Sequence, residues 1–198
     1  MDLAKLQNGS DVRGVALAGV EGESVTLDDA AVRAIAGGFA RFLRARLGKE
    51  RFCVSVGRDS RLSGKAIAEA LCETLAACGA AVTDLGLCTT PAMFMTTVTG
   101  EAPFDAAVMI TASHLPWNRN GLKFFTAAGG AESADVREIL RLALEPLPAA
   151  PGGSVQSGEF LETYAALLRE KIVSRAAACM PSGPDSSTHS PMMVRPER

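Results

Sequence analysis

Thirteen residues, Thr111-Ala-Ser-His-Leu-Pro-Trp-Asn-Arg-Asn-Gly-Leu-Lys123, bring a hydroxyl, an imidazole, a guanidinium and an ammonium together directly after an apolar run. A serine hydroxyl is a weak nucleophile alone and needs acid–base neighbours or charge stabilisation. His114, adjacent to Ser113, can orient or share a proton, and Lys123 can face the same cleft from the next strand. Arg119 supplies a guanidinium suited to phosphate. Two more segments echo this chemistry. Ser10-Asp-Val-Arg-Gly14 sets Arg13 before a glycine, and Gly57-Arg-Asp-Ser-Arg61 places Arg58, Asp59 and Arg61 after a β-prone run. Cations converging on strand-end loops imply an anionic ligand, most simply a phosphate. The plainer reading of each segment is a polar turn whose side chains bond their own backbone, or a solvated surface network. Trp117 can stack on a sugar or pack on its own strand. The chain has no G-x-x-x-x-G-K-[ST], no G-x-G-x-x-G and no G-x-S-x-G. With the imidazole in the next position to the serine, a hydrolase triad does not fit.

The elements that must position these residues are read from periodicity. Thr26-Leu-Asp-Asp29 reads as a capping box, and Val32, Ile35, Ala36, Phe39 and Leu43 follow at helical spacing to about Gly48. Phe52–Val56, Ala81–Leu85, Ala106–Ile110 and Gly121–Phe125 read as strands. Between them lie a helix carrying Ile67, Leu71, Leu75 and Cys78, and a short helix opened by Pro91. Ser133 caps a last helix of this unit through about Leu144. The first thirty residues are rich in glycine and read as loop. Helices alternating with buried strands predict a three-layer α/β/α sandwich with a largely parallel or mixed sheet. In such sheets sites lie at the carboxyl ends of the strands, where 58–64, 87–91 and 111–120 begin. Residues 1–145 form one unit, 146–158 read as a Pro/Gly-rich linker, 159–173 as a further helix, and 174–198 as a disordered tail.

Composition narrows the function classes. The 198 residues carry a formal net charge of −2, which fits neither a basic nucleic-acid binder nor an acidic disordered chain. Five cysteines without a C-x-x-C pair argue against a disulfide framework or a zinc knuckle. Cys53 and Cys72 sit in apolar runs and read as buried thiols of a reducing compartment. No apolar run approaches ~18 residues, so no membrane span is expected. Met1–Ser10 lacks the apolar region of a secretory leader, so the default expectation is the cytoplasm, with an organelle peptide upstream of Met1 left open.

The loop Thr111–Lys123 closely resembles the T-A-S-H-N-P-x-x-x-N-G-x-K active-site loop of the α-D-phosphohexomutases, the family of phosphoglucomutases, phosphomannomutases and phosphoglucosamine mutases. Asp11-Val-Arg-Gly14 resembles that family's D-x-R-G segment, Gly57–Arg61 its G-x-D-x-R segment, and Thr90-Pro91 its T-P turn. The resemblance covers about residues 6–144 and departs at Leu115, where the pattern has Asn.

The resemblance implies that Ser113 carries a phosphoryl group, gives it to one hydroxyl of a hexose phosphate, and is rephosphorylated from the other position. It implies proton transfer and electrostatic stabilisation at Lys123 and Arg13, contact with the reacting groups at His114, and phosphate or substrate binding at Arg58, Asp59, Arg119 and Asn120. The implied cofactor is Mg²⁺, bound through the phosphate on Ser113, with a hexose bisphosphate as activator and a sugar phosphate as partner. Cations around spreading oxygen charge suit such chemistry. The family's fold has four domains, and the D-G-D-x-D-R magnesium loop occurs nowhere in this sequence. Asp11 and Asp59 lack the spacing of a metal cage. The resemblance therefore covers domain I, with the helix at 159–173 leading toward domain II and domains II–IV missing. The expectation is a phosphohexomutase at the family level whose isolated chain has weak or no complete activity. The alternative is a truncated remnant that binds phosphate or a partner without turnover.

Overall fold

The structure is a computed structural model and describes residues 2–179. The sheet begins with β1 (Gln7–Asn8) and β2 (Asp11–Val15), a tight hairpin inside the segment expected to be loop. Helix α1 (Asp29–Leu47) follows, then β3 (Cys53–Arg58), α2 (Gly64–Ala77), β4 (Ala81–Leu87), α3 (Thr90–Met95) and β5 (Ala106–Ile110). The chain returns as β6 (Arg119–Thr126) and β7 (Gly129–Gly130), then α4 (Ser133–Leu142), β8 (Ser154–Ser157) and α5 (Leu161–Cys179). The chain divides into two compact units, one ending at Tyr164 and one beginning at Ala165. The described part of the second is helical to Cys179, so the helix expected to stop at 173 runs six residues further. The rest of the expected tail, 180–198, lies outside the described residues.

Among the described residues the sheet has the order β1-β2-β6-β5-β3-β4-β8, with β7 pairing β6. Strands β5, β3, β4 and β8 are mutually parallel, and β1, β2 and β6 pair antiparallel. The sheet is thus mixed, as expected. Because β6 reverses against β5 and β2 reverses against β6, the outgoing ends of β2, β3, β4 and β5 share one edge. The loops after those strands form the site.

Alternation along each strand sends side chains to two faces. Val12, Val54, Val56, Val108, Ile110 and Leu122 join α1, α2 and α4 in the larger core. Ala107 and Met109 join Leu85, Cys88, Ala92, Met93, Phe160 and Tyr164 on the other face, under α3. These two cores make the three layers. Gly38, inside α1, has a packing reason: a Cβ there would run into the Ile139 carbonyl and lie 2.7 Å from the Ala143 nitrogen, so glycine lets α1 and α4 approach backbone to backbone.

Four local readings are corrected. The cap of α1 is Asp28, whose carboxylate accepts from the Ala31 N–H at 2.8 Å. Thr26, expected at that position, instead accepts from the Val15 N–H at 3.0 Å and ties the loop to β2. Helix α4 is capped from Glu132, one residue before the expected Ser133. The stretch read as linker contains β8, which pairs parallel to β4 from Ala81↔Ser154 to Asp84↔Ser157. Cys72 is buried as expected, but Cys53, at the start of β3, is exposed. Burial pushes the Cys72 thiol up to about 12. No described helix is long and apolar enough to cross a membrane.

Candidate active site

Strand β5 delivers the chain to Thr111, whose N–H donates to the Gly121 carbonyl on β6. Two residues later Ser113 adopts φ 55°, and among the described residues it is the non-glycine residue with positive φ. An L-residue enters this left-handed region at a cost, and such strain persists only where surroundings over-determine it. The surroundings are explicit. The Ser113 N–H donates to Thr111 Oγ1 at 3.0 Å, and that hydroxyl donates to Asp59 Oδ2 at 2.6 Å. Asp59 Oδ1 accepts the Arg61 N–H at 3.0 Å, and its own N–H donates to the Ile110 carbonyl at 3.0 Å. Ser113 and His114 are exposed, with Oγ and Nδ1 3.3 Å apart. The imidazole accepts from the hydroxyl only in the tautomer that leaves Nδ1 bare.

The cations of β2 and β6 lie behind this loop in two rungs. Arg13 is opposite Gly121, and the next rung toward the sheet interior carries Lys123 opposite Met109. Same-face rungs are about 7 Å apart. Arg13 and Lys123 share a face because Val12 and Leu122 take the opposite one. Asp11 joins them: its Oδ1 accepts from Lys123 Nζ and its Oδ2 from Arg13 Nη2, each at 2.7 Å. Gly121 admits this arrangement, since a Cβ there would strike the Val12 carbonyl and lie 3.0 Å from Arg13 Cδ.

The other expected contacts are distributed differently. Arg58 is half-buried at the end of β3, packed beside Gly64 at the start of α2, with Nη1 3.4 Å from the Asp59 carbonyl. Arg119 instead donates to Glu23 Oε1 at 2.6 Å. The Asn118 amide donates to the other Glu23 oxygen at 2.7 Å. These two bonds, Asn118 first, hold the Glu23 carboxyl below its ordinary value. Asn120 is fully buried, with its amide on Ser63 Oγ and its carbonyl oxygen accepting the Gly121 N–H. It therefore shapes the loop from beneath. Trp117 is half-exposed and lies over Gly19 of the β2–α1 loop. Sequence reasoning missed Glu23 and Ser63, which carry no local signal. It took Arg61 for one of several anion-seeking cations, whereas the structure turns it onto the serine loop.

A magnesium ion implied by the resemblance does not fit these side chains. Both oxygens of Asp11, Asp59 and Glu23 are already engaged by cations, amides or a hydroxyl. Among the described residues no group of three or more His, Cys, Asp or Glu is placed to hold a metal. Octahedral Mg²⁺ needs several oxygens converging on one point.

The sequence model described as "Phosphoglucomutase/phosphomannomutase, alpha/beta/alpha domain I" matches residues 4–146. A phosphoglucosamine mutase of Macrococcus caseolyticus is 40% identical over 116 residues, covering 57% of this chain and 25% of that protein. A phosphomannomutase/phosphoglucomutase of Pseudomonas aeruginosa is 36% identical over 121 residues, covering 61% of this chain and 26% of its own length. The crystal structure of a phosphoglucomutase/phosphomannomutase family protein from Burkholderia thailandensis superposes with a TM-score of 0.68 at 28% identity, covering 84% of this chain and 34% of that one. This chain thus spans about a quarter to a third of the length of the proteins it matches. Matched over residues 4–146, the chain belongs to the phosphoglucomutase/phosphomannomutase family and carries its α/β/α domain I.

Proposed function

We propose that Ser113 is the phosphoryl acceptor of a phosphohexomutase, and that this chain is the part that receives and returns the phosphoryl group. The observation that carries the reading is the left-handed Ser113, exposed at the strand edge beside His114, with Arg13 and Lys123 in the rungs behind it. In the transfer, a hydroxyl oxygen of a hexose monophosphate bonds to the phosphorus carried on Ser113 while the bond from phosphorus to Oγ breaks, and the hydroxyl proton passes through His114 Nδ1 to Oγ. The bisphosphorylated sugar turns, and Oγ bonds to its other phosphorus while the bond from that phosphorus to the sugar oxygen breaks. The proton returns through His114 to the released sugar oxygen, which gives the other positional isomer. The Arg13–Asp11–Lys123 group sets the local charge.

The substrate class is a hexose phosphate, with glucose, mannose and glucosamine phosphates as the candidates the relatives' names suggest. Complete turnover by this chain alone is expected to be weak or absent, because among the described residues no group of three or more His, Cys, Asp or Glu is placed to hold a metal. The test is intact-mass measurement after incubation with glucose 1,6-bisphosphate. One phosphoryl group on Ser113, absent in Ser113→Ala, is the expected result. An unmodified wild-type chain would sink the reading in favour of a domain that binds without chemistry.

A further inference from the structure

Arg61 carries no role in the reaction above, yet it makes more bonds to the serine loop than any residue of the loop itself. Its Nη2 donates to the carbonyls of Ser113 at 2.9 Å and Leu115 at 2.7 Å. Its Nη1 donates to those of Pro116 at 2.8 Å and Arg119 at 3.0 Å. Its Nε lies 3.4 Å from Asp59 Oδ2, an ion pair longer than a hydrogen bond. The side chain is 13% exposed. The guanidinium is therefore not an anion ligand: its terminal N–H groups are taken by four carbonyls of one loop.

We propose that Arg61 is the positioning residue that holds Ser113 in its left-handed conformation and so presents the hydroxyl outward. Both sides of Ser113 are pinned from β3 and the loop after it. The nitrogen is held through Thr111 and Asp59, and the carbonyl is held by Arg61. Asp59 is common to both, since it bonds Thr111 and pairs with Arg61. A planar fork with fixed donor directions can gather four carbonyls, which a rotating ammonium with three donors cannot. Lysine should therefore not replace arginine here, although it keeps the charge. The Pro116 carbonyl also accepts the Arg119 N–H at 3.0 Å, but a serine whose own carbonyl is released by Arg61 should leave the left-handed region. The inference rests on Ser113 as phosphoryl acceptor for its relevance to the reaction, but not for its geometry.

The test uses the full chain with Arg61→Lys and Arg61→Met, read by amide hydrogen exchange and by phosphoryl uptake from glucose 1,6-bisphosphate. Exchange in peptides over 111–119 should speed by about tenfold or more in both variants, while peptides over α1 stay unchanged. Uptake at saturating donor should fall by about tenfold with little change in the half-saturating donor concentration. Methylguanidinium added to Arg61→Ala should restore loop protection. Loop exchange equal to wild type in both variants would overturn the proposal. So would an unchanged maximal rate with a raised half-saturating concentration, the mark of a phosphate ligand. If wild type takes up no phosphoryl group, the reading of Ser113 fails while the exchange result still decides the role of Arg61. Should the single variants unfold, Arg61→Lys is combined with Ser113→Gly, for which the left-handed conformation is free of strain. Recovered folding and loop protection in the pair supports the proposal, and a pair no better than Arg61→Lys overturns it.

Discussion

Asp11 decides how much positive charge the site shows. It sits 11% exposed between Arg13 and Lys123, two cations that would otherwise repel each other across neighbouring strands. Replacing it by asparagine keeps the shape and removes the counter-charge. Asp11→Asn should lower stability by about 3 kcal/mol in a urea titration, because two half-buried cations lose their carboxylate. Inorganic phosphate should then raise the melting temperature of the variant more than that of the wild type; equal shifts would mean that the two cations do not face the site. At this scale Ser113, His114, Lys123 and Arg13 were legible, because their spacing forms a motif and their strands are marked by apolar runs. Arg119 and Asn120 fall in the same motif, but their contacts were not legible. Their partners, Glu23 and Ser63, lie 96 and 57 positions away. Arg61 was unreadable for a different reason: its partners are backbone carbonyls, which every sequence supplies alike.

Among the elements, β8 shows what periodicity cannot reach. Its four residues, Ser154–Ser157, are all exposed, so no apolar alternation marks the strand, and a Pro/Gly-rich context argues for linker. What makes it a strand is the open edge of β4, a property of the sheet and not of the segment. Strand β2 was hidden in the same way by the glycines on either side of it. By contrast β3, β4 and β5 were found because strands buried on both faces must be apolar throughout. The cap of α1 also belongs here: Thr26 was the expected cap, but Asp caps helices equally well, and the bond from Val15 to Thr26 leaves Asp28 for α1. Ser154→Pro removes the N–H that donates to the Ala80 carbonyl at 3.0 Å. It should cost about 1 kcal/mol, or about 3 °C in melting temperature, and expose the β4 edge to self-association at high concentration. An unchanged melting temperature would show that β8 adds nothing to the sheet.

For the molecule as a whole, the site is assembled from segments far apart in sequence, and the chain direction within the sheet fixes which arrive together. The serine loop joins β5 to β6, which are antiparallel neighbours, so these strands and their loop form one hairpin that needs no distant contact to close. The Arg61 bonds to the loop are different, for they span 52 to 58 positions. They can form only after β3 has docked beside β5. Loop closure over such distances is entropically costly, and contacts of this range tend to be completed late. If the loop closes only after β3 and β5 have paired, the strained turn should lock after the folding barrier. Destabilisation by Arg61→Lys should then appear in the rate of unfolding and leave the refolding rate within about twofold of wild type. A refolding rate that falls in proportion to the lost stability would place the staple in the nucleus instead. The activated conformation of the serine is, on this account, the last thing the chain acquires and the first it gives up.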